Sequence, residues 1–165
     1  KYDYKTFPAV IIKTSLNGTV LLYSTGKAVL TGMKKEEDIK DVNDILLNVL
    51  KKSNVKFSSF KTSISNIVTT TNFNGCIDIN SAAVLLENSM YEPEIFPGLI
   101  YKMFNPKPKS SFILYSTGSV ICTGNKDIDK IKEAIKLCKK ELKDLNLIHE
   151  VYTDTFDADN INIDL

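Results

Sequence analysis

A chain of 165 residues with 43% apolar and 25% charged side chains has room for a buried core, as one domain or two small fused ones. No apolar run approaches the roughly 20 residues that a membrane-spanning helix needs, and no basic-then-apolar leader opens the chain, which starts at Lys1. Formal charge is +1, with every one of the 21 basic residues a lysine; the segment 151–165 holds four of the 20 acids and no lysine, which leaves residues 1–150 at +5. Such a body attracts a polyanion only weakly by charge alone.

In chain order, Phe7–Lys13 reads as a strand, and Asn17-Gly18 supplies a turn into a second, Thr19–Tyr23. Ser24-Thr25-Gly26 turns into a third strand, Lys27–Thr31, ending at a Thr-Gly. Ile39, Val42, Leu46, Val49 and Leu50 then form the apolar stripe of a long helix. Thr62–Phe73, rich in β-branched residues, predicts a strand, and Asn80–Ser89 a short helix capped by Asp78 or Asn80. Strands follow at Phe96–Met103, Ser111–Tyr115 and Ser119–Thr123, the first two joined across Pro106 and Pro108. Ile128, Ile131, Ile135, Cys138, Leu142 and Leu145 mark a second long helix. His149 is expected near its C-terminus, as a solvated residue.

One histidine gives Ser-His-Asp and zinc-hydrolase layouts little to build on. Three scattered cysteines, Cys76, Cys122 and Cys138, suit a reducing compartment rather than a disulfide framework or a zinc site. The chain is read as no enzyme, without metal or cofactor.

The chain also repeats itself. Tyr23–Lys34 (YSTGKAVLTGMK) recurs as Tyr115–Lys126 (YSTGSVICTGNK), identical at seven of twelve positions and offset by 92. Phe7–Lys13 recurs as Phe96–Lys102 at an offset of 89, the difference falling in the intervening loop. The expected organisation is residues 1–61 as the back half of a first unit, 62–150 as a complete second unit, and 151–165 as an acidic tail. A complete first unit would place a further strand and helix upstream of Lys1.

Alternation puts Val20, Leu22, Ala28 and Leu30 on one face of the first hairpin and Leu21, Tyr23, Val29 and Thr31 on the other. The second copy divides in the same way, with Phe112, Leu114, Val120 and Cys122 opposite Ile113, Tyr115, Ile121 and Thr123. The helices come after each strand set, so an antiparallel sheet covered on one side is expected. The uncovered apolar face is then either a binding surface or a seat for another subunit or the tail.

Tyr91-Glu-Pro-Glu-Ile-Phe-Pro-Gly-Leu-Ile-Tyr-Lys-Met103, with Ile113-Leu-Tyr-Ser-Thr-Gly118 and Thr123-Gly-Asn-Lys126, resembles the second repeat of the TATA-box-binding protein family. Asn66-Ile-Val68 resembles the start of that repeat, and residues 2–57 the back half of the first. The resemblance implies an α+β saddle of two pseudo-symmetric half-repeats, with a curved antiparallel sheet and helices on the convex side. It also implies a nuclear transcription initiation factor that binds the minor groove at A·T-rich TATA-like elements, bends the double-stranded DNA and nucleates a preinitiation complex. That family is itself a standard example of minor-groove kinking, so this mechanism comes with the resemblance and not from the residues.

By position, the resemblance assigns Phe7 and Phe96 as outer wedges, with Tyr23 and Tyr115 where the family has a second phenylalanine. Leu21, Val29, Thr31, Ile113, Ile121 and Thr123 match the floor, and Asn66 and Val68 the central contacts of the second half. Lys13 and Lys102 match phosphate-contacting arginines. Glu92 and Glu94 match the acids that receive transcription factor IIB, while Lys51, Lys52, Lys139 and Lys140 lie on helices open to factor IIA, TBP-associated factors or other regulators. Without the resemblance, Phe7 and Phe96 are ordinary strand aromatics, and the lysines and glutamates ordinary surface charges.

The chain departs from the family pattern in places. Tyrosine at two wedge positions adds a hydroxyl that costs about 1–3 kcal/mol if buried without a partner. Lysine point charges replace bidentate arginines. Ser119 stands where the first copy has Lys27. These departures keep open a divergent relative that serves as a protein-interaction scaffold with weak or no TATA binding. A homodimer through exposed sheet surfaces or edges also remains open. The tail is read either as a disordered interaction segment or as one that folds back on the protein and mimics nucleic acid.

Overall fold

The computed structural model describes residues 5–15, 18–57, 59–150 and 162–164. The chain divides into two compact units, the first running to Ser63 and taking in Asp164 from the other end of the chain, the second covering Ile64–Ile163.

In the first unit, β1 (Ala9–Lys13), β2 (Thr19–Tyr23) and β3 (Ala28–Thr31) form an antiparallel sheet in sequence order. The β2–β3 turn closes through Tyr23 N–H to the Lys27 carbonyl at 2.9 Å, with Gly26 at φ +83° as the Ser-Thr-Gly signal requires. Helix α1 (Glu36–Lys52) opens with Glu36, Glu37 and Asp38 and closes with Lys51 and Lys52, charges that suit its dipole. Its Val42 and Leu46 pack with Val20 and Met33 into a core ringed by Ile12, Leu30, Ile39 and Leu50. The expected stripe is thus the covered one. Asn17, half of the expected Asn-Gly turn, lies outside the described residues.

The second unit repeats the plan with more in front. Strand β4 (Ile67–Asn72) is shorter than the predicted Thr62–Phe73, since pairing with β9 (Ser119–Asn125) begins only at Ile67. A two-stranded piece pairs β5 (Gly75–Ile77) with β10 (Ile148–Glu150). His149 therefore sits in a strand opposite Cys76 and not at a helix end; Asn146, at φ +56°, ends the helix earlier. Helix α2 (Ile79–Leu85) stops short of Ser89 because β6 (Ser89–Met90) begins there and pairs with β7 (Leu99–Met103). Asp78 is its cap, accepting from Ser81 N–H at 3.1 Å and Ser81 Oγ at 2.6 Å.

The main sheet adds β8 (Ser110–Leu114) and β11 (Asn162–Asp164), in the order β11-β4-β9-β8-β7-β6. The tail thus contributes a strand beside β4, at one end of the six-stranded sheet. Its Asp154, Asp157 and Asp159 lie outside the described residues. Helix α3 (Ile128–Asp144) starts from Asp127, whose Oδ1 accepts from Asp129 and Lys130 N–H. It buries Ile131, Ala134, Ile135, Cys138 and Leu142; Leu145, predicted in the stripe, is instead the helix-terminal residue and 37% exposed. Tyr101 ties the layers together, stacking on Phe112 and donating its hydroxyl to Glu141 on α3 at 2.8 Å.

Candidate nucleic-acid interface

The division of faces read from alternation holds in the second unit. Phe112, Leu114, Val120 and Cys122 are buried on the helix side, and Ile113, Tyr115, Ile121 and Thr123 are half-buried on the other. Strand register turns that alternation into rows. Ile100 pairs with Ile113 and Ile113 with Ile121, with Thr70 beyond on β4, so one apolar row crosses the open face. The first unit carries the same row as Ile11–Leu21–Val29. A second row follows in each, Lys13–Thr19–Thr31 and Lys102–Ser111–Thr123, with a lysine at one end, a threonine at the other and a hydroxyl residue between them.

Ile11 at 54% and Val29 at 46% exposure keep apolar surface in water that burial would stabilise by about 1 kcal/mol each. Ile11, Ile100 and Thr70 were not singled out from the sequence; the alternation that found the hairpin residues extends to them once register is known.

The wedge positions are accessible. Phe7 and Phe96 are exposed, and Phe96 meets Tyr115 edge to face with ring centroids 6.2 Å apart. Tyr23 and Tyr115 are half-buried, each beginning a glycine turn. Phe96 closes the loop from Tyr91 to Gly98, where its N–H and that of Ile95 both donate to the Glu92 carbonyl at 2.9 Å. Glu92 and Glu94 are exposed there beside Ile95, which at 80% exposure is a loop-tip residue that the sequence reading passed over.

At the start of β4 the pairing with β9 slips between Ile67 and Thr69. Val68 is half-buried beside this irregularity, and exposed Asn66 just before it is hydrogen-bonded to Thr123. Asn66 Oδ1 accepts from Gly124 N–H at 3.1 Å, which fixes the amide, and Asn66 Nδ2 donates to Thr123 Oγ1 at 2.9 Å.

Near the other end of β4 an open hollow of about 410 Å³ lies between Thr70, Asn72, Tyr115, Ser119 and Ile121. A larger groove of about 530 Å³ runs along α3 and the β7–β8 loop, lined by charges of both signs, Glu87, Glu141 and Asp144 with Lys102 and Lys140. Lys51, Lys52, Lys139 and Lys140 belong to the helices, not to the open face. Among the described residues no group of His, Cys, Asp and Glu is placed to hold a metal ion, and no helix is long and apolar enough to cross a membrane.

Fold and face together define a duplicated α+β protein in which the antiparallel sheet of each unit leaves an apolar, lysine-edged face uncovered by its helices. The family model described as "Transcription factor TFIID (or TATA-binding protein, TBP)" matches residues 1–53 and 61–145. The TATA-box-binding protein of Pyrobaculum neutrophilum is 36% identical over 152 residues, 90% of this chain and 76% of that protein. That of Sulfolobus acidocaldarius is 35% identical over 153 residues, 92% of this chain and 77% of that one. The solved structure of Methanococcus jannaschii TBP matches with a TM-score of 0.73 and 27% identity, over 87% of this chain and 82% of that one. The chain belongs to the TATA-box-binding protein family of transcription factors.

Proposed function

We propose that the open face seats the minor groove of A·T-rich duplex DNA, and that the chain bends the duplex and presents it for assembly of an initiation complex. The repeated apolar row, Ile11–Leu21–Val29 and Ile100–Ile113–Ile121, carries this reading. The floor of an A·T minor groove offers acceptors but no exocyclic amino group, so a smooth apolar surface with few donors fits it. Leu21, Val29, Ile113, Ile121 and Val68 make the floor contact, Asn66, Thr31 and Thr123 the polar ones. Lys13 and Lys102 meet phosphates at its border. Phe7 and Phe96, backed by Tyr23 and Tyr115, open base steps, and the larger surface that a bent duplex lays on the sheet offsets a bending cost of about 1–6 kcal/mol.

Residues 1–61, as the back half of a first repeat, and 62–150, as a second repeat, act together in this reading. The role is that of a binder and not of an enzyme. Glu92 and Glu94, exposed around Ile95, suit a basic partner of the factor IIB type, while the lysines of α1 and α3 suit factor IIA or associated factors. The relatives named above are archaeal, from cells without a nucleus, so the working place is wherever the DNA is rather than a nucleus as such.

The test is a binding titration against A·T-rich and G·C-rich duplexes at several salt concentrations. Tighter A·T binding with a log–log salt slope of about −2 to −4, from a few lysine–phosphate contacts, is expected. Retained partner binding with no DNA affinity at low salt would favour the scaffold reading instead.

A further inference from the structure

Helix α3 carries two stripes of side chains. Ile131, Ile135, Cys138 and Leu142 are buried against the sheet. Leu137, Glu141 and Leu145 follow beside them at a spacing of four, which sets them along one ridge of about 12 Å. That ridge lines the groove of about 530 Å³, together with Leu85 at the end of α2 and Phe104 just past β7. Leu85, Phe104 and Leu145 are all exposed. Exposed apolar side chains gathered round one concavity mark a place where a partner removes them from water.

The polar part of the groove sets it apart from the matching place in the first unit. Tyr101, almost fully buried, donates its hydroxyl to half-buried Glu141. That one bond leaves most of the carboxylate's acceptor sites for a further donor, best a cation. The repeat puts Ile12 and Val49 where Tyr101 and Glu141 stand, and Lys52 and Ser53 where Asp144 and Leu145 stand. On α3, Lys140, Glu141 and Asp144 sum to −1, and their counterparts Asn48, Val49 and Lys52 to +1. Glu87 adds a third acid and Lys102 a second lysine, so the whole groove keeps an acidic excess of one.

We infer that this groove seats a short amphipathic helix of a partner protein, laid along α3, with aliphatic side chains among Leu85, Phe104 and Leu145 and an arginine or lysine at Glu141 and Asp144. A ridge of residues four apart is the surface against which a second helix packs its own side chains. An extended peptide has no such seat, because β7 is paired on both sides, with β6 and β8, and offers no free edge. The acidic excess selects a basic helix over an acidic one, most sharply at half-buried Glu141. The groove works in this way whether or not the open face holds DNA.

The test selects, on the full chain, from a display library of helix-favouring peptides with leucine fixed at three positions spaced by four and the residues between them randomised. Selected peptides should be enriched in arginine or lysine between the leucines. One of them, synthesised with a fluorescent label, is then titrated by anisotropy against the natural chain, Asp144→Lys/Leu145→Ser, Phe104→Ser and Ile121→Ala. The first variant carries what the first unit has, at two exposed positions, and a lysine suits the end of α3, so its Tm should match that of the natural chain. It should bind the peptide about ten-fold more weakly, as should Phe104→Ser, while Ile121→Ala on the open face binds it unchanged. Replacing the peptide's basic residue with glutamate should cost about as much. A library that yields no binder, binders without basic enrichment, or a peptide that binds the folded Asp144→Lys/Leu145→Ser variant as tightly as the natural chain overturns the inference.

Discussion

Phe96 and Tyr115 meet edge to face, their ring planes at 61° and their centroids 6.2 Å apart. The contact joins the loop that leads into β7 to the end of β8, and Gly98 makes room for it. A Cβ on Gly98 would stand 2.8 Å from the Phe96 ring, 3.1 Å from that of Tyr115 and 2.6 Å from Ile113 Cγ2. The pair presents one compound aromatic edge, positioned by packing before any ligand arrives.

Gly98→Ala should therefore disturb the pair. Over-packing costs about 1–3 kcal/mol, and the first unit accepts Ala9 at this place only with Leu21 in the position of Ile113. Thermal unfolding should show a lowered Tm for Gly98→Ala, and Gly98→Ala/Ile113→Leu should recover part of the loss.

Phe112 is fully buried between the sheet and α3, stacked on Tyr101. Phe112→Ala should cost about 3–5 kcal/mol in urea unfolding, whereas Ile121→Ala on the open face should cost far less. Equal losses would mean that the open face is packed like the covered one.

The three cysteines should separate by reactivity. Burial pushes the Cys122 thiol up to about 11, with hydrogen bonds from Ser110 and Thr69 opposing, and holds Cys138 well above its ordinary value. Cys76 is exposed on β5. A thiol reagent at pH 8 should label one site per native chain and three after denaturation, with Cys76→Ser abolishing the native signal.

Tyr101 gives a pH dependence of known sign. Its phenol is pushed well above 10.0, first by burial and then by the hydrogen bond to Glu141. A folded value above the unfolded one means stability that is complete below pH 10 and lost as pH rises from there toward the folded value. Tyr101→Phe should lose about 1 kcal/mol at neutral pH and flatten this alkaline decline.

Much of this was legible in the chain. The offset copies around Tyr23 and Tyr115 gave the duplication, and strict alternation from Phe112 to Thr123 gave the two faces, because a two-residue period leaves no choice once one side is covered. The strand at His149 escaped, since Ile148–Glu150 pairs with β5, more than 70 positions away, and nothing local announces so short a strand. The same holds for Asn162–Asp164, which reads as an acidic tail until β4 is beside it. Ile100 and Thr70 joined the open face only through register, a property of two strands and not of either one. The Asn72–Ser119 contact spans 47 positions and has no signature in the sequence.

Energy transfer across a doubly end-labelled A·T-rich duplex tests most directly whether DNA is seated and bent on the open face. The natural chain should bring the duplex ends together, and Phe96→Ala should lower the bend while the protein stays folded. Binding without approach of the ends, or a Phe96→Ala variant that bends the duplex as the natural chain does, would contradict it.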